Sequence, residues 1–364
     1  MKIVHVSTVH PRNDIRIFKK ECRALVEAGW EVHLIVADGL GDELHESIMV
    51  HDIGKRSNNR LVRLLINTYH AISTAIKLKP DIIHIHDPEL LLFIWRALFR
   101  KIRIVYDIHE DMRRQILLKK YIPNYLRKLT SVVFGIVEDG ISSKLSALIV
   151  PQESMLKHYI EINNECINLP NYVDLNLYPL KRKLFTRPVI FHAGALTNDR
   201  GLYNMINLAN ELAERGDVVV AGRLPKDILP SAIGLIKYMG NLEYSDVLNW
   251  YADSNIGVIL YNNVGQYHMA SAVKSFEYMA SSMPILMPNF GEWIEFNMKT
   301  NCGINVDVND AVSISAAVMW LVENPIDAER LGRNGRTCVE SEYSWQSVSG
   351  RLINLYINLM KENK

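Results

Sequence analysis

Short apolar runs alternate with amphipathic stretches along the first half of the chain. The runs combine β-branched residues with the length of buried strands, and the stretches between them have helical periodicity. Strands are predicted at residues 2–7, 31–37, 81–86, 103–107 and about 147–150. Helices are predicted at about 14–28, 61–77 and 125–138. Strands that alternate with helices are typical of βαβ units on a parallel sheet.

The alternation is interrupted near residues 169–174 and resumes, after a polar and basic stretch, at a strand over 189–192. Further strands are predicted at 217–221, 236–239, 256–261, 285–287 and 303–306. Helices are predicted at 202–214, 246–252, 273–279, 311–323, 327–342 and 345–360. We therefore predict two doubly wound α/β domains, residues 1–175 and 176–364. The last helix, at about 345–364, is expected to pack back on the N-terminal domain.

Composition narrows the class of protein. The chain has 364 residues, 48% hydrophobic and 22% charged, which excludes a disordered or fibrous protein. The net charge of +1 argues against nucleic-acid binding over the whole surface. We expect neither a membrane-spanning helix nor a signal peptide. Four cysteines lie far apart without a C-x-x-C pair, which fits reduced thiols and a cytoplasmic location. They are Cys22, Cys166, Cys302 and Cys338.

Positive charge is concentrated in one part of the chain. Residues 55–128 contain 16 Lys and Arg against 6 Asp and Glu, whereas the remaining residues contain 25 against 34. Within this part, residues 90–128 mix apolar and basic side chains, a combination typical of surfaces that contact anionic lipid. The alternative is a buried helix with a solvated basic rim, which we prefer for residues 90–99 because their apolar positions are too many for one helix face.

A glycine-containing loop, AGALTNDRG at 193–201, follows the strand at 189–192. Ligands of open parallel sheets bind at the carboxyl ends of the strands, so this loop is a candidate site. Gly194 and Gly201 permit close backbone approach, and Arg200 with the N–H groups of the next helix suits a phosphate or diphosphate. A tight turn with a solvated arginine fits equally well. The loop matches neither the P-loop nor the dinucleotide-binding pattern.

A second motif places Lys274 and Glu277 three residues apart on one face of a predicted helix. In a ligand site, the carboxylate would accept two ribose hydroxyls and the ammonium would neutralise phosphate. The alternative is a surface ion pair.

The two motifs, together with PNFGE at 288–292 and the strand that begins at Gly303, resemble the nucleotide-binding half of GT-B glycosyltransferases of family 4. DIR at 14–16, HDPEL at 86–90 and YDIHE at 106–110 resemble the bacterial surface-polysaccharide branch of that family. The resemblance covers nearly the whole chain in the right order. It implies the GT-B fold, in which two Rossmann-like domains with doubly wound parallel sheets face a cleft.

For the donor half, the resemblance implies that Arg200 grips the diphosphate and that Glu277 holds the nucleotide ribose. The sequence departs from the family pattern at Ala195, which replaces an arginine, and at Met269, which replaces the first glutamate of the E-x7-E motif. We hypothesise that Lys274 supplies the missing charge and that backbone N–H groups of residues 268–271 face the sugar. The expected donor-binding residues are Gly194, Arg200, Gly201, Arg223, Gly240, Asn241, Ser271, Lys274 and Glu277.

For the acceptor half, His109 matches the family histidine that lies beside the reacting sugar. The expected catalytic residues are therefore His109, Arg200 and Lys274. A lone histidine after a strand is more often structural, and Asp14 and Asp87 fit helix or turn caps equally well. The expected acceptor-side residues are His10, Asp14, Arg16, Asp87 and Glu110.

The resemblance also implies retention of anomeric configuration and no metal or other cofactor, because side chains and N–H dipoles neutralise the leaving diphosphate. The expected reaction transfers a hexose or N-acetylhexosamine from a UDP- or GDP-sugar to a glycan or lipid-linked glycan of a surface polysaccharide. Peripheral contact with an anionic membrane through residues 90–128 would suit such an acceptor. Two alternatives stay open: a sugar-nucleotide epimerase, and an idle nucleotide-sugar-binding partner, which Ala195 and Met269 suggest.

Overall fold

The computed structural model describes residues 1–119, 122–178, 187–225, 228, 233–270 and 272–361. They form two compact units. The first unit comprises Met1–Asn171 and Val348–Lys364, and the second comprises Tyr172–Ser347. Each unit has its own mainly parallel sheet.

The sheet of the first unit has eight strands. They are β1 (Lys2–Val6), β2 (Glu31–Val36), β3 (Glu43–His45), β4 (Ile48–Asp52), β5 (Ile82–Ile85), β6 (Arg103–Asp107), β7 (Ala147–Val150) and β8 (Cys166–Asn168). Their spatial order is β3-β4-β2-β1-β5-β6-β7-β8. Neighbouring strands are parallel except for β3, which runs antiparallel to β4. β5 and β7 are buried at every position, as expected for parallel strands that are covered on both faces.

Helices connect these strands. A π-helical segment, Ile15–Cys22, continues as α1 (Arg23–Glu27). The others are α2 (Arg60–Val62), which continues as the π-helical Arg63–Asn67, α3 (Thr68–Lys77), the 3-10 turn Pro88–Leu92, α4 (Trp95–Leu98), α5 (Met112–Leu118), α6 (Asn124–Ser142) and α7 (Glu153–Ile162). Asp14 caps the first of these helices by accepting hydrogen bonds from the N–H groups of Arg16 and Ile17.

The second unit has six strands, all parallel to their neighbours. They are β9 (Val189–Ala193), β10 (Asp217–Ala221), β11 (Lys237–Tyr238), β12 (Ile256–Val258), β13 (Ile285–Pro288) and β14 (Gly303–Val306), in the spatial order β11-β10-β9-β12-β13-β14. The remaining helices are α8 (Leu202–Leu212), α9 (Tyr244–Asp253), α10 (Val273–Ala280), α11 (Glu292–Thr300), α12 (Ala311–Glu323), α13 (Pro325–Ser341) and α14 (Trp345–Lys361).

The C-terminal helix α14 packs on the first unit. The Tyr356 hydroxyl lies 2.6 Å from Nδ1 of His84 on β5, and its ring stacks on Trp30 with centroids 5.9 Å apart. Nε of Arg103 on β6 donates to the carbonyl of Leu359 at 2.8 Å.

The sequence pattern did not predict the β3–β4 hairpin, β8, α5, α7 or α11. β3 is exposed along its whole length and therefore lacks the apolar run that marks a buried strand. Its turn passes through Glu46 and Ser47, with φ of 50° and 63°, in place of the Asn-Gly pair that usually announces such a turn. The strand predicted at 256–261 ends at Val258.

Candidate functional site

Glycines fix the loop that follows β9. Gly194 and Gly201 have φ of 122° and 81°, in the region that favours glycine. A Cβ at position 201 would stand 2.0 Å from the carbonyl oxygen of Leu260, so a side chain there would clash with backbone. The N–H of Gly194 donates to the carbonyl of Ala221 at 2.7 Å. The loop is thus set at the carboxyl ends of β9 and β10.

Lys274 brings its ammonium to this loop. Its Nζ lies 2.8 Å from the position that a Cβ on residue 194 would occupy, so glycine at 194 makes room for the lysine. Burial lowers the pKa of Lys274 to about 8; Glu277 counteracts this effect and the charge of Arg200 adds to it. Desolvation and the charge of Arg200 make the protonated amine costly before any ligand binds. An anion beside it would offset that cost and would be stabilised by the ammonium in return.

Arg200 lies on the same loop. Its Nε donates to the hydroxyl of Tyr267 at 3.1 Å, and its Nη1 donates to the carbonyl of Ala195 at 3.4 Å. The loop is also tied to the chain beyond β12, because the N–H of Asn262 donates to the carbonyl of Asp199 at 3.0 Å. Arg200 is therefore presented by a braced turn, immediately before α8.

Two buried tyrosines orient Glu277. Its Oε2 accepts a hydrogen bond from the Tyr251 hydroxyl at 2.8 Å, and its Oε1 accepts one from Tyr178 at 3.3 Å. Burial, followed by the negative charge of Glu277, raises the pKa of both phenols well above their usual value, so they stay protonated and donate. The sequence did not reveal this support, because the tyrosines lie 26 and 99 residues from Glu277 and share no spacing with it.

The other expected donor-side residues are arranged more loosely. The side chains of Arg223 and Asn241 are exposed. The carbonyl of Gly240 accepts a hydrogen bond from the N–H of Gly222 at 2.7 Å, which ties the chain after β11 to β10. Ser271 lies outside the described residues. The structure thus brings Gly194, Arg200, Lys274 and Glu277 into one place, and their roles in binding stay predictions.

The segment around Met269 differs from the hypothesis that its backbone N–H groups face a sugar. The N–H of Ala270 donates to Oε2 of Glu292 at 3.2 Å, so a carboxylate of the protein already engages it. Met269 itself is partly buried. The sequence could not show this contact, because Glu292 lies 22 residues further along the chain.

A second cluster lies in the first unit, at the ends of β1, β5 and β6. Nε2 of His109 is 3.0 Å from Oδ2 of Asp107 and 3.1 Å from Nδ1 of His86. The ring of His10 stands 4.7 Å from that of His109, centroid to centroid. The carboxylate favours the tautomer that carries the proton on Nε2, which leaves Nδ1 of His109 for a ligand.

The cluster rests on a buried ion pair between Arg16 and Asp107. The guanidinium donates to both carboxylate oxygens at 2.8 Å, and its Nε also lies 3.1 Å from Oε1 of Glu21. Burial alone would raise the pKa of Asp107, but Arg16 and then His109 hold it well below its usual range. Burial and the charge of Asp107 raise the pKa of Glu21. With Glu21 protonated, the positive and negative charges of Arg16 and Asp107 balance.

The remaining acceptor-side residues differ in accessibility. Nδ1 of His10 lies 3.4 Å from Oδ2 of Asp14. Burial alone would lower the pKa of His10, but the neighbouring carboxylates outweigh this effect and raise it. Asp87 is buried and accepts a hydrogen bond from the Thr8 N–H at 2.5 Å. Glu110 is exposed. Arg16, by contrast, is engaged by protein groups, so the geometry favours a structural role over contact with a ligand.

Three buried histidines behind this cluster escaped the sequence reasoning. Nδ1 of His5 lies 2.9 Å from Nε2 of His86, and His84 follows on the same side. Burial lowers the pKa of His86 to about 4 and those of His5 and His84 well below their usual value, so all three are neutral. The alternation in DIIHIH at 81–86 was the signal for His84 and His86, and His5 lies in the apolar run KIVHV at 2–6.

Among the described residues, two groups of histidine and carboxylate side chains could hold a metal ion, because their donor atoms lie within 4.8 Å of one another. The groups are His5, Glu21, His84 and His86, and His86, Asp107 and His109. In the first group burial and Asp107 raise the pKa of Glu21, which favours its neutral form, and in the second the guanidinium of Arg16 already neutralises Asp107. The residues therefore fit charge balance within the protein better than they fit a resident cation.

Comparison with known proteins identifies the class of enzyme. Residues 16–177 match the model of Glycosyltransferase Family 4, and residues 203–354 match that of a glycosyl transferase-like domain. The chain is a glycosyltransferase of the GT-B type. The resemblance seen in the sequence and the predicted fold class are thereby confirmed, and this glycosyltransferase contains no described helix long and apolar enough to cross a membrane.

Relatives of this glycosyltransferase are distant. It is 22% identical, over its whole length and 98% of the relative, to the capsular polysaccharide biosynthesis glycosyltransferase CapM of Staphylococcus aureus. Sucrose-phosphate synthase from Thermosynechococcus elongatus has a similar structure, with a TM-score of 0.74, 15% identity and 99% of both chains covered. Anabaena Alr3699/HepE in complex with UDP-glucose has a TM-score of 0.70 at 13% identity and covers 98% of this chain and all of its own.

Replacing the buried Arg16 tests the acceptor-side cluster. In Arg16→Ala, the buried Asp107 loses the cation that neutralises it, and we expect the free energy of unfolding to fall by about 3–5 kcal/mol. Urea unfolding monitored by tryptophan fluorescence measures the change. Arg114→Ala, which removes an exposed ion pair with Asp111, is the control and should cost less than about 1 kcal/mol. Equal effects of the two substitutions would contradict the account of the cluster.

Proposed function

We propose that the chain is a retaining hexosyltransferase that moves a sugar from a UDP- or GDP-sugar to a glycan or lipid-linked glycan in surface-polysaccharide synthesis. The observation that carries the proposal is the convergence of Lys274, Arg200 and the Gly194 turn beside the braced carboxylate of Glu277. The role of the relative CapM in capsular polysaccharide biosynthesis supports the pathway class, and the UDP-glucose bound to HepE supports the donor class.

The donor would lie across the second unit. Its diphosphate fits against Lys274 and Arg200 and the N–H groups at the start of α8, where the helix dipole also favours negative charge. Glu277 would accept both ribose hydroxyls, since its carboxylate is held on one side by Tyr178 and Tyr251.

Sugar transfer would depend on positive charge that is in place at the diphosphate before the reaction begins. As the bond between the anomeric carbon and the phosphate oxygen breaks, negative charge grows on the leaving diphosphate. Lys274 and Arg200 would stabilise it, so the proposed reaction uses no metal or other cofactor. For retention we propose attack from the same face, in which a leaving phosphate oxygen takes the proton of the acceptor hydroxyl.

The acceptor would bind on the first unit near His109. Its Nδ1 is available to accept a hydrogen bond from a sugar hydroxyl because Asp107 engages Nε2. His10, whose pKa is raised through Asp14 and Asp87 despite its burial, would supply a positive charge beside it as the pH falls. Both groups would position the acceptor.

We also propose that the enzyme contacts an anionic membrane on the cytoplasmic side. The basic stretch over residues 90–128 extends into α6, whose Leu129 and Ile136 are 60% and 68% exposed. On α4, Trp95 is 51% exposed beside Phe99 at 81%. Exposed apolar side chains among lysines and arginines suit the boundary between headgroups and acyl chains.

Glu277→Gln tests the donor site directly. The amide keeps the shape of the side chain but loses the charge that binds the ribose, so we expect UDP or GDP affinity to fall about 10- to 100-fold. Isothermal titration calorimetry measures the affinity, and Glu295→Gln, at an exposed position of α11, is the control. Unchanged affinity for both nucleotides in Glu277→Gln would contradict the proposed ribose contact.

The pKa of Lys274 predicts a pH dependence of binding. A bound diphosphate favours the protonated amine, whose pKa in the free protein is about 8, so nucleotide affinity should fall by up to tenfold per pH unit above that value. Calorimetry between pH 6.5 and 9.5 at constant ionic strength measures it. Lys274→Arg keeps its charge throughout and should show a flat profile. A flat profile for the unmodified enzyme would exclude Lys274 from the diphosphate site.

A further inference from the structure

A cavity of about 520 Å³ lies in the first unit between α6 and the 3-10 turn Pro88–Leu92. Its volume is typical of a small-molecule pocket, about 300–1,000 Å³. Most of its wall is apolar and includes Leu91, Ile94, Leu98, Phe134, Val137 and Ile141. The carboxylates of Glu89 and Glu138 and the ammonium of Lys144 are the charged groups on this wall.

The two carboxylates of the wall are engaged by protein hydroxyls. Glu138 accepts hydrogen bonds from Tyr106 at 3.2 Å and Tyr159 at 3.0 Å, and Glu89 accepts one from Oγ1 of Thr8 at 2.8 Å. A sugar needs several polar partners, whereas this wall offers mainly aliphatic and aromatic surface. The cavity therefore suits a hydrocarbon chain.

The cavity opens toward solvent through side chains that are unusually exposed for their type. Leu92, Trp95 and Val137 line the cavity and are 44%, 51% and 54% exposed. Exposed apolar surface of this kind marks an interaction site. A chain that fills the cavity would leave it at the surface of α4 and α6, the same surface for which membrane contact is proposed.

The inner wall of the cavity is continuous with the acceptor-side cluster. Glu89 follows Asp87 by two residues, and Thr8 connects them, since its N–H donates to Asp87 and its hydroxyl donates to Glu89. Met112, also on the wall, follows His109 by three residues. A lipid in the cavity would therefore have its head directed at the strand ends where His109 lies.

We propose that this cavity binds the first part of the hydrocarbon chain of a lipid-phosphate-linked acceptor. The inference rests on the proposed function, because it deepens the acceptor side of the same transfer. At the end of the cavity nearest His109, Nε of Arg63 lies 3.3 Å from Oε2 of Glu89, and this cation and the excess of cations in residues 55–128 complement a phosphate head. A flat bilayer or a second copy of the chain would cover the exposed face of α6, but neither would fill a concave space beneath it.

Chain length gives the proposal a measurable signature. Each methylene that enters the cavity should raise affinity about fourfold, until the cavity is full and the gain stops. The probes are alkyl monophosphates of 4 to 14 carbons, titrated into the full-length enzyme by calorimetry below their critical micelle concentrations. A rise that reaches a plateau is expected; no detectable binding of any alkyl phosphate would overturn the proposal.

A matched pair of glycine variants locates the binding. Gly140 lies on the cavity wall and Gly350 on α14, and a Cβ added at either meets no atom within 4 Å. Gly140→Leu should weaken binding of dodecyl phosphate at least tenfold by occupying the cavity, whereas Gly350→Leu should leave it unchanged. Equal binding by Gly140→Leu and the unmodified enzyme would place the lipid elsewhere and overturn the proposal.

Two further measurements distinguish lipid binding in the cavity from general membrane adhesion and from the proposed function. Gly140→Leu should keep full affinity for UDP or GDP and for vesicles of phosphatidylglycerol and phosphatidylcholine, since neither depends on the cavity. If the variant loses vesicle binding in proportion to dodecyl phosphate binding, general membrane adhesion replaces the cavity as the explanation. If the unmodified enzyme bound neither UDP nor GDP, the proposed function would be wrong. Binding of alkyl phosphates would still test the cavity in that case.

Discussion

Donor binding would depend on the cost of keeping positive charge partly buried at a glycine turn. Lys274 extends to the turn at Gly194, where the absent side chain leaves room for its ammonium, and Arg200 comes from the same loop. The protein disfavours the lysine charge enough to bring its pKa to about 8, which a diphosphate would reverse. Binding energy in this unit would therefore come from relief of an electrostatic penalty as well as from new contacts.

The first unit differs from the second in that its buried positive charge is already neutralised by the protein. Its buried charges compensate one another, because Arg16 pairs with Asp107, Glu21 carries a proton and the histidines behind them are neutral. Such a network gives little free energy for anion binding, but it fixes His109 in orientation and tautomer. We interpret it as a positioning device for the acceptor side, whereas the second unit provides charge for the donor.

The sequence predicted the architecture because parallel strands that are buried on both faces leave continuous apolar runs, such as ALIV in β7 and VVVA in β10. It proposed Gly194, Arg200, Lys274 and Glu277 as donor-binding residues because each belongs to a local motif, and their roles stay predictions. It missed Tyr178, Tyr251 and Glu292, which approach the site from distant segments and have no spacing relation to it. It also missed the ion pair of Arg16 with Asp107, since 91 residues separate the partners.

The central claim is that Lys274 and Arg200 bind a diphosphate, and the ratio of UDP to uridine affinity, or GDP to guanosine affinity, tests it most directly. Calorimetry on Lys274→Gln and Arg200→Gln separates the phosphate contribution from that of the nucleoside. The account predicts that each substitution lowers this ratio at least tenfold and leaves nucleoside affinity unchanged. A ratio that stays the same in both variants would contradict it.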